Sequence, residues 1–219
     1  MDCGLDIAIE VVREPGCLAG IVTGWQELAR DALEANPLYE PRSLLPASQA
    51  SADDAFECCL VWARDPERSD VSARLAALFP FRRAKRYRGF PASALRSWTH
   101  PSWAWQPCTP LVRAEGAHRY VAALLDWLER EGAAVVEFSH VPREGRFSDV
   151  LADALREHRC TVYAEELQAP AGAERAGLRN VGVGLGAIGE MWVSMLPLLD
   201  RTRRRIGVAW RSDSRALAA

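Results

Sequence analysis

Residues 5–12, LDIAIEVV, alternate apolar and polar side chains and are rich in β-branched types, the pattern of a strand with one buried face. Trp25, Leu28, Ala29, Ala32 and Leu33 then recur at helical spacing, and Thr23 with Gln26 reads as a capping box opening that helix. Asn36-Pro37 closes it, because the residue before a proline is pushed out of the α region. The next run, NPLYEPRSLLPASQA, is punctuated by prolines and leads through a short second helix. FECCLVWA (56–63) and RLAALFPF (74–81) are continuous apolar runs that fit strands buried on both faces. A third strand of this group is expected around Ala94–Thr99. Tyr120, Val121, Leu124, Leu125 and Leu128 form one stripe of an amphipathic helix, AAVVEFSH (133–140) is the next strand, Phe147, Val150, Leu151, Ala154 and Leu155 mark another helix, and CTVYAEEL (160–167) is a closing strand.

The expected order is therefore β-α-α-β-β-β-α-β-α-β, a layered α/β protein built on a mixed sheet flanked by helices. No internal repeat or low-complexity block interrupts it. After Leu167 the texture changes: APAGAERAG (169–177) reads as a linker, and the remainder of the chain is glycine-rich and then basic. Residues 1–168 are expected to form one module, and 169–219 a linker with the irregular start of a second.

Composition narrows the chemistry. The 219 residues carry a net charge of −2, with 49% hydrophobic and 26% charged residues, a soluble globular profile. That balance excludes a nucleic-acid binder living on electrostatics, which needs a basic surface. The six cysteines show no C-x-x-C spacing, and the opening MDCGLDIAIE lacks a basic-then-apolar leader, so free thiols in a cytoplasmic setting are expected. His100, His118, His140 and His158 show no metal-ligand spacing. Between Val181 and Leu199 the only charge is Glu190, but that charge, several glycines and Pro197 argue against a membrane span.

WQELARDALEANPLYEPRSLLPA (25–47) resembles the opening of the CelD-like, cellulose-biosynthesis type of GNAT acyltransferase. There a W-x-x-L-A helix runs into an N-P-aromatic-x-x-P segment and then L-L-P-A. VVEFSHVPREGRFSDVLADALREHRCTVYAEE (135–166) is similar to the same family's strand, "VP" turn, helix and closing strand. The element order is that of the GNAT fold, so a GNAT-like mixed sheet is implied over roughly residues 5–168. The resemblance implies acyl transfer from acetyl-CoA or another acyl-CoA to an amine or hydroxyl on a small-molecule or glycan acceptor, linked to polysaccharide biosynthesis. Family members carry two such modules; this chain would stop as the second begins, so a non-catalytic binding or scaffolding module is the alternative. MWVSMLPLLDRTRRR (191–205) resembles the start of that second module.

In the GNAT fold the coenzyme's pyrophosphate sits on the loop that leads into the third helix, where successive N–H groups and the helix N-terminus favour an anion. Here that junction holds Arg113, Gly116 and His118, matching R-x-x-G-x-[G/A] except at His118. It reads either as a weakened coenzyme A loop or as an ordinary turn with Arg113 on the surface. RNVGVGLGAIG (179–189) fits the glycine motif better in letters but comes after a linker rather than a strand, so it is expected to be a loosely packed connection outside the module. Glu137, Glu165 and His140 are eligible general bases, with nothing in the sequence to choose among them. Trp98, Trp103 and Trp105 read as core packing of a proline-rich connection or as a substrate wall. FRRAKRYRG (81–89) reads as a basic patch for anions or as a solvated turn.

Overall fold

The computed structural model describes residues 6–51, 55–64, 73–103, 105–167 and 177–206, with 198–206 described by backbone alone. The alternating N-terminal segment forms β1 (Asp6–Val12), exposed at every second side chain. A 3-10 turn (Pro15–Ile21) leads into α1 (Val22–Arg30), whose first residue comes after Ile21 with no side-chain cap. The expected capping box is thus absent: Thr23 already lies within the first turn. Asn36 does not end α1 but stands beyond it, buried, donating from Nδ2 to the Thr109 carbonyl (2.7 Å) while its Oδ1 accepts from the Leu38 N–H (3.1 Å). Pro41 then starts α2 (Pro41–Ala50), where a missing N–H costs nothing.

β2 (Phe56–Arg64) and β3 (Arg74–Ala84) are almost wholly buried, as their unbroken apolar runs require. The third strand of the group is divided. β4 (Ala94–Ser97) pairs with the end of β3, and the two-residue β5 (Leu111–Val112) pairs with its middle at Ala77 and Leu78. Then come α3 (Ala117–Arg130), β6 (Val135–Pro142), α4 (Arg146–Glu157) and β7 (Thr161–Glu166). The chain continues into β8 (Leu178–Gly184) and α5 (Gly186–Ile206). The sheet runs β1-β2-β3-β4-β6-β8-β7, with β5 attached to β3. Every pairing is antiparallel except β4 with β6.

The fold is thus the mixed α/β sheet flanked by helices that the periodicities indicate. Adjacent residues of one strand enter different cores, as the two-residue period of a strand demands. Cys59, Val61, Phe79, Phe81, Val136 and Phe138 pack with α3 and α4, whereas Cys58, Leu60 and Leu78 pack with Trp25 and Leu28 of α1 and Leu44 of α2. Ala94 and Val135 meet Val193 and Leu196 of α5 in a third, smaller cluster, where Phe90 stacks on Trp192 at 4.5 Å.

The expectation for Arg179–Gly189 is corrected. This stretch is not a connection outside the sheet: β8 is inserted between β6 and β7 and hydrogen-bonds to both. Its glycines are demanded by close approach. A Cβ on Gly182 would lie 2.6 Å from the Tyr87 hydroxyl, one on Gly184 2.5 Å from the Gly189 carbonyl oxygen, and one on Gly189 1.7 Å from the Ala134 carbonyl oxygen. The start of α5 therefore rests directly on backbone of β8 and of the segment entering β6, which only glycine permits. Among the described residues no helix is long and apolar enough to cross a membrane.

Candidate functional site

Among the described strands one pair is parallel. β4 and β6 are in register at Ala94–Val135, Leu95–Val136 and Arg96–Glu137, after which β6 continues in pairing with β8, while β5 pairs with β3 and is also bound by residues 31–33, the Leu33 N–H donating to the Val112 carbonyl (2.7 Å). Beyond Glu137 the register of β6 slips between Phe138 and Val141, and His140 takes a φ of +56°. A bulge with a non-glycine residue in the left-handed region re-aims a side chain at local cost, and such strain gathers at functional sites. Three hydrogen bonds hold this bulge. The Ser139 N–H donates to Ser97 Oγ (3.1 Å), the His140 N–H donates to Asn180 Oδ1 (3.2 Å), and the Cys108 N–H donates to the His140 carbonyl (3.1 Å). The last reaches across from the Trp-rich connection between β4 and β5.

The His140 ring is partly buried, and its Nδ1 is a buried nitrogen without a hydrogen-bond partner among the described residues. Burial lowers its pKa below the ordinary imidazole value, outweighing the raising influence of the Gln106 main chain and the Glu137 charge. The ring is therefore neutral at pH 7 and able to accept a proton.

The other two candidate bases are already engaged. Glu137 is completely buried; its Oε1 accepts from Arg96 Nε (2.8 Å) and its Oε2 from the Tyr87 hydroxyl (2.9 Å), with Arg88 at 3.5 Å. Burial pushes this carboxyl up, but the Arg96 and Arg88 charges and the hydrogen bonds from Arg96 and Tyr87 win and hold it below the usual carboxylate value. Glu165 lies on the same face and is paired with Arg88 at 2.6 Å. Gly182 is what lets Tyr87 in. In the basic stretch 81–89, Arg88 is engaged by these carboxylates and Arg83 binds buried Glu57 through two hydrogen bonds (2.7 and 2.9 Å), while Lys85 and Arg86 are exposed. Trp98 and Trp103 are core residues, edge-on at 5.5 Å, while Trp105 is 38% exposed.

The sequence-derived coenzyme residues lie on the junction between β5 and α3. Gly116 precedes α3 with φ +81°, and no side chain caps the helix, so its first N–H groups face outward. A Cβ on Gly116 would also crowd the Tyr120 ring at 3.0 Å. Gly116 and His118 border a cavity of about 540 Å³ lined also by Ala117 and Arg119 of the helix start and by Arg146 and Asp149 of α4. Arg113 does not line it. Its guanidinium is buried, donates from Nε to the Leu75 carbonyl (2.9 Å) and is paired with Asp31. His118 is half-exposed, its Nε2 lying 3.4 Å from Glu157 Oε2. The contribution of Arg146 and Asp149 has no local signal, because α4 is some thirty residues further along and reaches α3 through tertiary packing and side-chain contacts such as His118–Glu157.

No protein-family model matches the chain, and no curated protein matches it. Solved structures do resemble it. An N-acetyltransferase from Staphylococcus aureus Mu50 aligns over 82% of this chain and 97% of its own at 7% identity, TM-score 0.43. A diaminobutyrate acetyltransferase from Paenibacillus lautus, solved with its substrate and coenzyme A, aligns over 83% and 96% at 14% identity, TM-score 0.43. A GNAT family N-acetyltransferase from Escherichia coli, solved with coenzyme A, aligns over 83% of both chains at 17% identity, TM-score 0.42.

Proposed function

We propose that the chain is an acyl-CoA-dependent acyltransferase of the GNAT type, taking an acyl group from a thioester to an amine or hydroxyl acceptor. The observation that carries this reading is that the parallel ladder of β4 with β6 ends at Arg96–Glu137 and is not continued by β5, which leads into a helix that starts without a side-chain cap. The N–H groups of Ala117, His118 and Arg119 favour the pyrophosphate of coenzyme A. Gly116 and His118 thus serve through their backbone, whereas Arg113 supports the loop from behind by tying it to Asp31 and Leu75.

In the reaction the acceptor nucleophile attacks the thioester carbonyl, the new acyl bond forms, and the C–S bond breaks to release coenzyme A as its thiolate, which is protonated by the proton that His140 has taken or by water. His140 takes the proton that the nucleophile loses, being the one candidate base that is neutral and not held by a guanidinium. The resemblance of 25–47 supports the CelD-like branch, with a cytoplasmic sugar or glycan precursor as acceptor.

The second reading, a non-catalytic module, is favoured by a specific contact. The Cys108 N–H already occupies the His140 carbonyl at 3.1 Å, a main-chain group that the coenzyme arm would otherwise use. Calorimetry with acetyl-CoA and with a long-chain acyl-CoA separates the two. Saturable binding, weakened about tenfold or more when Gly116→Val both fills the turn and forces a left-handed β-branched residue, is expected of the enzyme. A folded chain that binds neither thioester establishes the non-catalytic reading.

A further inference from the structure

α4 has a groove on each side. One is the cavity at the start of α3. The other, about 390 Å³, lies between the opposite flank of α4 and the strands β7 and β8 at the edge of the sheet. Its size is that of small-molecule sites. Its walls are apolar: Leu151 and Leu155 from α4, Val181 from β8, and Val162 and Ala164 from β7. On the edge strand Val162 stays 45% exposed although its cross-strand partner Val183 is buried.

The charged residues lining this groove are Arg156, Arg159 and Arg179, and Glu166 stands opposite Arg179 in the β7–β8 register just beyond the lining. Arg156 is partly neutralised by Asp153 at 2.8 Å, outside the groove. Arg179 is held with its Nη2 3.5 Å from Ser148 Oγ, which itself donates to the Pro142 carbonyl. Its Nε is buried and has no hydrogen-bond acceptor among the described residues. Buried donors in native proteins are nearly always satisfied, so an orphan donor beside an apolar wall asks for an acceptor from outside. A guanidinium presents its N–H groups as a fork that fits a carboxylate.

We propose that this groove binds a small amphipathic carboxylate, its head group on Arg179 and its chain along Leu151, Leu155, Val162 and Val181. Arg156 and Arg159 add attraction at the rim. The site lies apart from the α3 cavity and does not depend on the acyltransferase reading.

The test uses the full chain with methyl-labelled leucine and valine, titrated with decanoate, decanol and inorganic phosphate at pH 7. Decanoate should shift the methyl resonances of Leu151, Val162 and Val181 saturably. Decanol should bind about tenfold more weakly, the usual value of a charge-assisted hydrogen bond, and phosphate alone should leave these methyls unmoved. Arg179→Met should weaken decanoate about tenfold. Val162→Glu, a change at an exposed edge position that the fold tolerates, should abolish binding with an unchanged melting curve. Equal affinity for decanoate and decanol, or an unaltered affinity in Arg179→Met, would overturn the proposal. So would a chain that is dimeric until decanoate dissociates it, which would assign the groove to a second copy.

Discussion

At neutral pH the His140 imidazole is uncharged because the bulge of β6 draws it into a partly desolvated position, and this has a signature in stability. A histidine whose folded-state pKa is depressed favours folding in its neutral form. Its contribution is complete above the unfolded value of about 6.5 and is lost as pH falls from there through the folded pKa, because the unfolded chain takes up the proton more readily. Chemical denaturation at pH 7.5 and pH 5.5 should therefore show the parent losing more stability on acidification than His140→Gln. Equal losses in the two proteins would mean that the ring titrates as it does in water and is not the poised base. Individual side chains also explain why the acidic candidates are set aside. Glu137 and Glu165 attract the eye in the sequence because each sits in an expected strand, yet each is already neutralised by arginines contributed from the β3–β4 connection and from β4. That partnership spans forty or more residues of chain and leaves no local trace.

Elements with strong periodicity are legible and those held by their neighbours are not. β2 and β3, with unbroken apolar runs, and α3 and α4, with single apolar stripes, stand where the periodicity puts them. β8 does not announce itself: LRNVGVG contains an asparagine and two glycines, poor strand formers, and becomes a strand because β6 and β7 offer hydrogen bonds on both edges. Read alone, its glycines suggest looseness; in place Gly182 admits the Tyr87 hydroxyl and Gly184 admits the backbone of Gly189. Gly189→Ala should consequently destabilise by about 3 kcal/mol or more, at or beyond the upper end of overpacking, since the added methyl meets a carbonyl that cannot retreat. Urea denaturation checks this. A variant as stable as the parent would show that α5 is not seated against Ala134. The capping box failed for a related reason: the 3-10 turn before α1 already directs the chain into the helix, so Thr23 enters it rather than capping it.

For the molecule as a whole, the legible part of the candidate site is the turn into α3, since Gly116 is required there by its left-handed backbone. The facing wall from α4 and the bulge of β6 arise from packing and topology, which short-range pattern does not encode. The proposed function rests on the uncapped start of α3 and the bulge of β6 together receiving an acyl thioester of coenzyme A. Hydrogen exchange of the full chain, with and without acetyl-CoA, puts this to the test. Slower exchange is predicted in two separate stretches, the backbone of 114–120 at the helix start and that of 138–141 at the bulge, with the rest of the sheet unchanged. Exchange that is unaltered by saturating acetyl-CoA, or slowed only outside these two stretches, would contradict it.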